Sequence, residues 1–211
     1  MKIIISCSAL KNGNNLIYNN NEIEFVSKPA KEYQFRPDDI IPGENITWRK
    51  HIIQSQENSS LLKSYELYKP LIYKSLYDRY GSDLYILSAG WGIVSSEFKI
   101  PKYNITFSKN AEIISQRTQN DNFNDLNHLK GINENEKIIF IGGSEYLKLF
   151  HKLTNDLQNQ KIIFYKKKNI NSYAPFITND PSYILEKYDT NTRTNWHYEC
   201  AKNILNKKII L

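Results

Sequence analysis

The chain has 211 residues, of which 40% are hydrophobic and 24% charged, with a formal net charge of +6 at pH 7. This is the composition of a globular protein long enough to bury one sizeable core. No apolar run approaches the roughly 20 residues that span a bilayer. The N-terminal apolar run is too short for a signal peptide, so we expect a cytoplasmic protein.

The side chains that usually hold metals are sparse and badly spaced. The two cysteines, Cys7 and Cys200, lie at opposite ends of the chain and form no CxxC pair. The four histidines show no metal-ligand spacing, so we predict neither a metal nor another cofactor. The net positive charge permits a polyanionic partner without requiring one. Fifteen tyrosines and three tryptophans offer stacking surfaces for bases, although most such rings belong to cores.

Short apolar runs that end in small or polar residues predict four buried strands. They are KIIISCS (2–8), DLYILSA (83–89), EKIIFIGG (136–143) and QKIIFYKKK (160–168). Helical spacing predicts a mostly helical segment at 47–81, with Gly81 as its stop, and helices at 144–157 and 196–210. Residues 108–135 are polar and are expected to be helical in part.

Strands that alternate with helices favour a mostly parallel sheet covered on both faces. We therefore predict the α/β class, as a three-layer sandwich, in a single domain over residues 1–211. Residues 18–47 are rich in Pro, Gly, Asn and Asp and predict irregular structure with a short hairpin. A long, loop-rich insertion is accordingly expected at about 14–64.

Three of the predicted strands end in residues suited to ligand contact. In open parallel sheets, ligands bind beyond the carboxyl ends of the strands. The ends read SCSALK (6–11), SAGWG (88–92) and GGSEY (142–146), and we predict that they meet in space. Lys11 adds a cation, and the free amides after the paired glycines resemble an anion cradle. The alternatives are an ordinary strand end with an exposed lysine and a tight glycine turn.

Two further segments carry possible chemistry. Trp48 and Arg49 pair a stacking surface with a guanidinium that can contact phosphate, or else they are a buried anchor beside a solvated basic turn. Trp91, between two glycines, is placed to stack on a planar ligand. Glu97 is the one carboxylate between Asp83 and Glu112. It can act as a base or stabilise a developing cation, or it can simply begin a helix.

The segment YILSAGWGIVSSEFKIPKYNITF (85–107) resembles a segment shared by several families. They are the YaaA-type peroxide-stress proteins, a group of small proteins with an N-terminal SC-x-x-x-K motif, and the central domain of archaeosine synthases. The last is similar to the uracil-DNA glycosylase fold. The resemblance covers residues 6–11 and 85–106 well and GGSEY more loosely. It implies a uracil-DNA-glycosylase-like domain.

The resemblance implies a DNA glycosylase that cleaves the N-glycosidic bond of a modified base, in a role such as defence against phage. A glycosylase must stabilise positive charge on the sugar and negative charge on the leaving base. Motifs and resemblance together assign three sets of residues. They are catalytic Glu97 and Asn104; base-binding Cys7, Ser88, Gly90, Trp91, Gly92 and Tyr103; and DNA-binding or phosphate-binding Ser6, Lys11, Trp48, Arg49, Gly142, Gly143 and Ser144.

One departure from the relatives affects the expected chemistry. Where they usually carry Asp after the tyrosine, this chain has Asn104, which leaves Glu97 as the candidate for charge stabilisation. Two other functions stay open. One is a non-catalytic, DNA-binding stress protein of the YaaA type, which predicts salt-dependent DNA binding without base release. The other is an enzyme that processes free nucleosides or nucleotides.

Overall fold

The structure is a computed structural model that describes residues 1–118, 120–166 and 180–210. Within these ranges the strands are β1 (Lys2–Ser6), β2 (Leu16–Tyr18), β3 (Asn21–Val26), β4 (Gln34–Phe35), β5 (Leu62–Lys63), β6 (Leu84–Ser88), β7 (Gly92–Ser95), β8 (Lys99–Ile100), β9 (Tyr103–Asn104), β10 (Leu126–Asn127), β11 (Ile138–Ile141), β12 (Lys161–Tyr165) and β13 (Tyr183–Lys187). The α-helices are α1 (Trp48–Gln54), α2 (Ser64–Leu67), α3 (Ile72–Tyr80), α4 (Leu147–Thr154) and α5 (Trp196–Leu205).

The protein has the α/β architecture that its sequence predicts, built on a seven-stranded sheet. The strand order is β10-β7-β6-β1-β11-β12-β13. The five strands from β6 to β13 run parallel to one another, whereas β7 runs antiparallel to β6, and β10 runs parallel to β7. The four predicted strands are present as β1, β6, β11 and β12, and the last part of 160–168 lies outside the described residues.

The central strands are apolar along their whole length because both of their faces are covered. Every residue of β6 and β11 is buried. Helices α3 and α5 pack against each other and over β6 and β11, and Phe150 of α4 stacks on Phe140 at 4.6 Å between ring centroids. Each large apolar side chain buried in this way contributes about 1.5–3 kcal/mol. Consecutive apolar residues therefore specify a central strand here.

The helical segment predicted at 47–81 is broken into three pieces. Thr47 caps α1 by accepting a hydrogen bond from the Lys50 amide, and Gly81 ends α3 with a φ of +53°. Between them the chain forms β5, which pairs with β8. The expectation of helix within 108–135 is wrong: the described part of that segment holds a single 3-10 turn (Ile113–Ser115) and β10.

The segment predicted as a loop-rich insertion builds a small second sheet. Strand β3 pairs antiparallel with β2 and parallel with both β4 and β9. Strand β9 contains Tyr103 and Asn104, so the insertion is joined to the segment that follows the glycine-rich turn. None of the helices that the structure describes has the length and apolarity to cross a bilayer.

Candidate functional site

The three small-residue strand ends lie side by side, as the sequence predicts. Strand β1 is between β6 and β11, all three are parallel, and Ser6 is in register with Leu87. A Cβ atom on Gly142 would lie 2.9 Å from the Cβ of Ser6, so the first and third ends pass at a distance that only glycine allows. Residues 6–11, 88–92 and 142–146 therefore leave the sheet at one edge.

A small cavity opens at this edge, which we call the Lys11 recess. Its volume is about 90 Å³. It is lined by Cys7, Ser8, Ala9, Lys11, Asn104, Ile105, Thr106, Ala111 and Tyr146. Three predicted site residues, Cys7, Lys11 and Asn104, are thus brought together. A dry cavity of roughly 150 Å³ is needed to hold benzene, so the recess by itself is too small for a nucleobase.

Lys11 extends into an aromatic environment. Its Nζ lies 4.1 Å from the centroid of the Tyr103 ring and 5.8 Å from that of Tyr68. Burial lowers the pKa of the Lys11 ammonium, Cys7 opposes this shift, and the nearby charge of Lys102 adds to it. Among the described residues, no carboxylate, carbonyl or hydroxyl accepts a hydrogen bond from Nζ. The tyrosine rings are therefore its main electrostatic partners.

Hydrogen bonds hold the walls of the recess in place. The Tyr103 hydroxyl accepts a hydrogen bond from Ser88 Oγ at 2.8 Å and lies 2.9 Å from the Tyr68 hydroxyl. Burial raises the pKa of the Tyr103 hydroxyl well above its ordinary value, which keeps the group neutral. On the other side, Cys7 Sγ lies 3.1 Å from the Tyr146 hydroxyl. Tyr103 is buried, so its ring serves Lys11 and is not open for a base to stack on.

A second, larger space adjoins the recess, which we call the polar cavity. It has a volume of about 880 Å³ and is lined by Ser108, Gly143, Ser144, Glu145, Lys166, Asn191, Arg193, Thr194, Asn195, Trp196 and His197. The same two chain segments line both spaces, because Thr106 and Tyr146 line the recess while Ser108 and Glu145 line the cavity. This volume is typical of a small-molecule site. Gly143 and Ser144, predicted to bind phosphate, lie here.

The cations of the polar cavity come from chain regions that sequence reasoning passed over. Lys166 donates from Nζ to the Thr192 carbonyl at 2.6 Å, and Arg193 is exposed. Lys166 directly follows β12, in the basic end of the predicted strand at 160–168. Arg193 lies in the polar run TNTRTNW (190–196), which has no periodicity. The register of β12 and the position of α5 bring these residues to the Gly143 turn.

His197 makes the stability of this region sensitive to acid. Burial lowers the pKa of His197 from 6.5 to about 4. Between pH 6.5 and 4 the unfolded chain therefore binds the extra proton, and stability falls as the pH falls through that window. The expected loss is on the order of 2–3 kcal/mol. Urea unfolding of the parent and of His197→Gln at pH 7 and pH 4.5 should show a smaller acid loss in the variant, and equal losses would contradict this.

Glu97 is not brought to this edge. Strand β7 carries the chain back antiparallel to β6, with Ser95 opposite Tyr85, over about 13 Å. Glu97 therefore lies near the amino end of β6. Its side chain is 52% exposed, accepts a hydrogen bond from the Tyr77 hydroxyl at 2.6 Å, and lies 3.5 Å from Lys63. The Tyr77 hydrogen bond, followed by Lys63, lowers the pKa of Glu97. This position does not fit the predicted role of Glu97 in stabilising positive charge on the sugar.

The two tryptophans assigned to the site are part of the core. Trp91 is fully buried and packs edge-on against Phe25, at 5.4 Å between centroids. Trp48 is buried as well and packs against Phe25 and Tyr18. Neither ring is available to stack on a ligand. Their expected roles in binding a base and DNA do not fit these positions.

Buried arginines explain the glycine-rich turn at 88–92. Arg49 pairs with Asp38 at 2.7 Å and donates to the carbonyls of Gly90 and Trp91 at 3.1 and 3.2 Å. Its guanidinium is therefore committed to the fold and is not open to phosphate. Ser88 Oγ accepts hydrogen bonds from the amides of Gly90 and Trp91. The turn at 88–92, predicted to contact a ligand, instead supports the neighbouring recess.

Arg117 supports the same turn from another side. It donates to the Ala89 carbonyl at 2.6 Å and forms two hydrogen bonds with Asp125, at 2.8 and 2.7 Å. Three successive carbonyls, those of residues 89–91, thus accept from buried guanidinium groups. Gly92 follows with a φ of +91°. The predicted role of Gly90 and Gly92 in base binding does not fit the structure, because both glycines are packed within this support.

The remaining assigned residues lie at or beside the recess. Ser6 is buried at the end of β1, and its carbonyl accepts a hydrogen bond from the Tyr73 hydroxyl at 2.7 Å. Ser88 is buried in the turn, and Asn104 is exposed at the recess. Among the described residues, no group of three or more His, Cys, Asp or Glu side chains is placed to hold a metal ion.

Comparisons with protein-family models, with curated proteins and with solved structures find no match to this chain.

Proposed function

We propose that the protein is a DNA N-glycosylase of the uracil-DNA-glycosylase-like type, which removes a modified base from a nucleotide held at the carboxyl edge of its sheet. The observation that carries the proposal is that two small-residue strand ends, 6–11 and 142–146, line a two-part site beside the third, 88–92. The polar cavity has room for a base and sugar-phosphate, and the Lys11 recess presents a cation beside aromatic rings.

The charges of the site suit one nucleotide of a longer strand. Lys166 and Arg193 line the polar cavity together with Gly143 and Ser144. Arg193 is exposed and can contact phosphate, and Lys166 adds a second, partly buried cation. A base in a duplex must be flipped out before an enzyme reaches its glycosidic bond. The polar cavity is lined by amide, hydroxyl and guanidinium groups and by the Glu145 carboxylate, and these groups offer hydrogen bonds to such a base. Asn104 at the recess is a neutral group that can orient water or a base edge.

The decisive experiment is mass spectrometry of bases released from a panel of DNAs with modified bases, including phage genomes. Release of one modified base with formation of an abasic site is the expected result. Glu97→Gln should retain full activity, because Glu97 lies at the opposite edge of the sheet. Strong loss of activity in folded Glu97→Gln would show that the site is elsewhere.

A DNA-binding protein without catalysis is the second candidate, and one observation favours it. No carboxylate is among the described residues that line the Lys11 recess, so the usual group for stabilising a sugar cation is missing there. This candidate predicts salt-dependent DNA binding with no base released from any substrate. Turnover of free nucleosides with little affinity for DNA would instead identify a nucleotide-processing enzyme.

DNA affinity also tests where the bound DNA lies on the protein. Arg193→Ala should weaken DNA binding about tenfold, since one charge-assisted contact is worth about 1.5 kcal/mol. It should also reduce the slope of log K against log salt by about 1. The matched control is Arg79→Ala, which removes another exposed arginine near the amino end of β6. Equal affinity of the two variants in fluorescence anisotropy titrations would place the DNA outside the polar cavity.

A further inference from the structure

The environment of Lys11 is typical of a reactive amine and differs from that of a lysine that binds phosphate. A phosphate-binding lysine usually stands exposed as a hydrated point charge. Lys11 is half-buried, its Nζ lies against the Tyr103 ring, and among the described residues it has no carboxylate partner. Burial lowers the pKa of Lys11, an effect that Cys7 opposes and the Lys102 charge reinforces. Desolvation beside another cation is how proteins activate lysine as a nucleophile.

The surroundings leave the amine room to reach a ligand. The recess is lined near Lys11 by small side chains, Ser8, Ala9, Thr106 and Ala111, and it adjoins the polar cavity. The titratable groups that face Lys11 are the Cys7 thiol and the hydroxyls of Tyr68, Tyr103 and Tyr146, with Lys102 on the outside. Burial keeps the three tyrosines neutral, so none supplies an anion to hold the ammonium form.

We infer that Lys11 is a catalytic residue that forms a covalent imine with C1′ of the nucleotide sugar. This rests on the proposed function, because it names a group that can act at C1′ from the Lys11 recess, whose described lining holds no carboxylate. The recess, too small for a base, is large enough for the lysine nitrogen and the C1′ carbon to meet.

The reaction balances without an added oxidant or reductant. The neutral Nζ forms a bond to C1′ while the C1′–base bond breaks, and the base leaves with the electron pair and takes one proton from Nζ. The nitrogen lone pair then forms C1′=Nζ while the C1′–O4′ bond opens, and O4′ takes a proton from solvent. Water finally adds to C1′, which releases an abasic aldehyde and leaves Nζ as the ammonium, and loss of that proton to solvent restores the neutral amine.

Borohydride trapping tests the inference independently of which base is recognised. An oligonucleotide with a preformed abasic site already carries the C1′ aldehyde, which condenses with an amine to the same imine. Borohydride converts that imine to a stable secondary amine. We expect a protein–DNA adduct at neutral pH, mapped by mass spectrometry to Lys11. Lys11→Ala and Lys11→Arg should each form at least tenfold less adduct, because alanine has no side-chain amine and a guanidinium is not a nucleophile.

The matched control is Lys69→Ala, which removes an exposed amine next to the bridge between Lys11 and Tyr68 and should leave the adduct in place. Mapping on the unaltered protein keeps the test decisive even if a Lys11 variant fails to fold. No adduct, or an adduct mapped to another lysine or the N-terminus, would overturn the inference. If Lys11 is trapped but no modified DNA releases a base, Lys11 forms the imine with abasic sugars, and the proposed glycosylase function is wrong.

Discussion

Asp125→Ala is expected to lower the free energy of unfolding by about 3–5 kcal/mol. Asp125 and Arg117 are paired through two hydrogen bonds, and their side chains are 1% and 3% exposed. Removing the carboxylate leaves a guanidinium buried with no counter-ion, and the desolvation of that charge is then uncompensated. Urea unfolding at neutral pH measures the loss.

The control for Asp125→Ala is Asp78→Ala, which breaks an exposed pair with Lys74 one helical turn away. Exposed pairs of this kind contribute about 0.3–0.5 kcal/mol. Equal losses in the two variants would show that the Arg117–Asp125 pair is open to water. Because Arg117 also holds the Ala89 carbonyl, Asp125→Ala should loosen the 88–92 turn, seen as faster amide hydrogen exchange there.

Gly92→Ala is expected to destabilise the protein by more than about 3 kcal/mol, or to detach β10 from the sheet. Gly92 has a φ of +91°, which an L side chain rarely adopts. An added Cβ would also lie 2.3 Å from the Leu126 carbonyl oxygen and 2.6 Å from its nitrogen. These are backbone atoms of the neighbouring strand and cannot turn aside.

The matched control for Gly92→Ala is Gly43→Ala. Gly43 has a similar φ of +82°, but a Cβ there would meet nothing within 4 Å. Gly43→Ala therefore introduces backbone strain without a steric clash, which costs about 1 kcal/mol. The difference between the two variants in thermal or urea unfolding therefore isolates the contact with β10. A difference below about 1 kcal/mol would mean that β10 moves away without penalty.

Local patterns in the chain predict the sheet well, since the signals that specify it are local. Runs such as Ile3–Ile5 and Ile138–Ile141 are apolar without alternation, which is what a strand covered on both faces requires. The small residues after them mark where these strands end. The proximity of the ends of β1, β6 and β11 followed from the parallel sheet alone. Strand β10, with two residues, and strand β13, most of whose residues are partly or fully exposed, carried no comparable pattern.

The misplaced residues of the site share one physical cause. Trp91, Arg49 and Glu97 are all residue types that act in active sites, yet each has a structural partner in another segment of the chain. Phe25 covers Trp91, Asp38 pairs with Arg49, and Tyr77 holds Glu97. Whether such a side chain meets a ligand or a protein partner depends on contacts between segments far apart in sequence, which spacing does not encode.

The sequence by itself determined the α/β class, the buried parallel strands and the small residues at their carboxyl ends, because these follow from local burial and strand geometry. Only the tertiary structure decided which side chains remain at that edge. The antiparallel return of β7 carries Glu97 away, and the buried arginines occupy the turn at 89–91. Lys11 is left facing the recess, because the chain brings Tyr68 and Tyr103 against it and places no carboxylate among the residues described there.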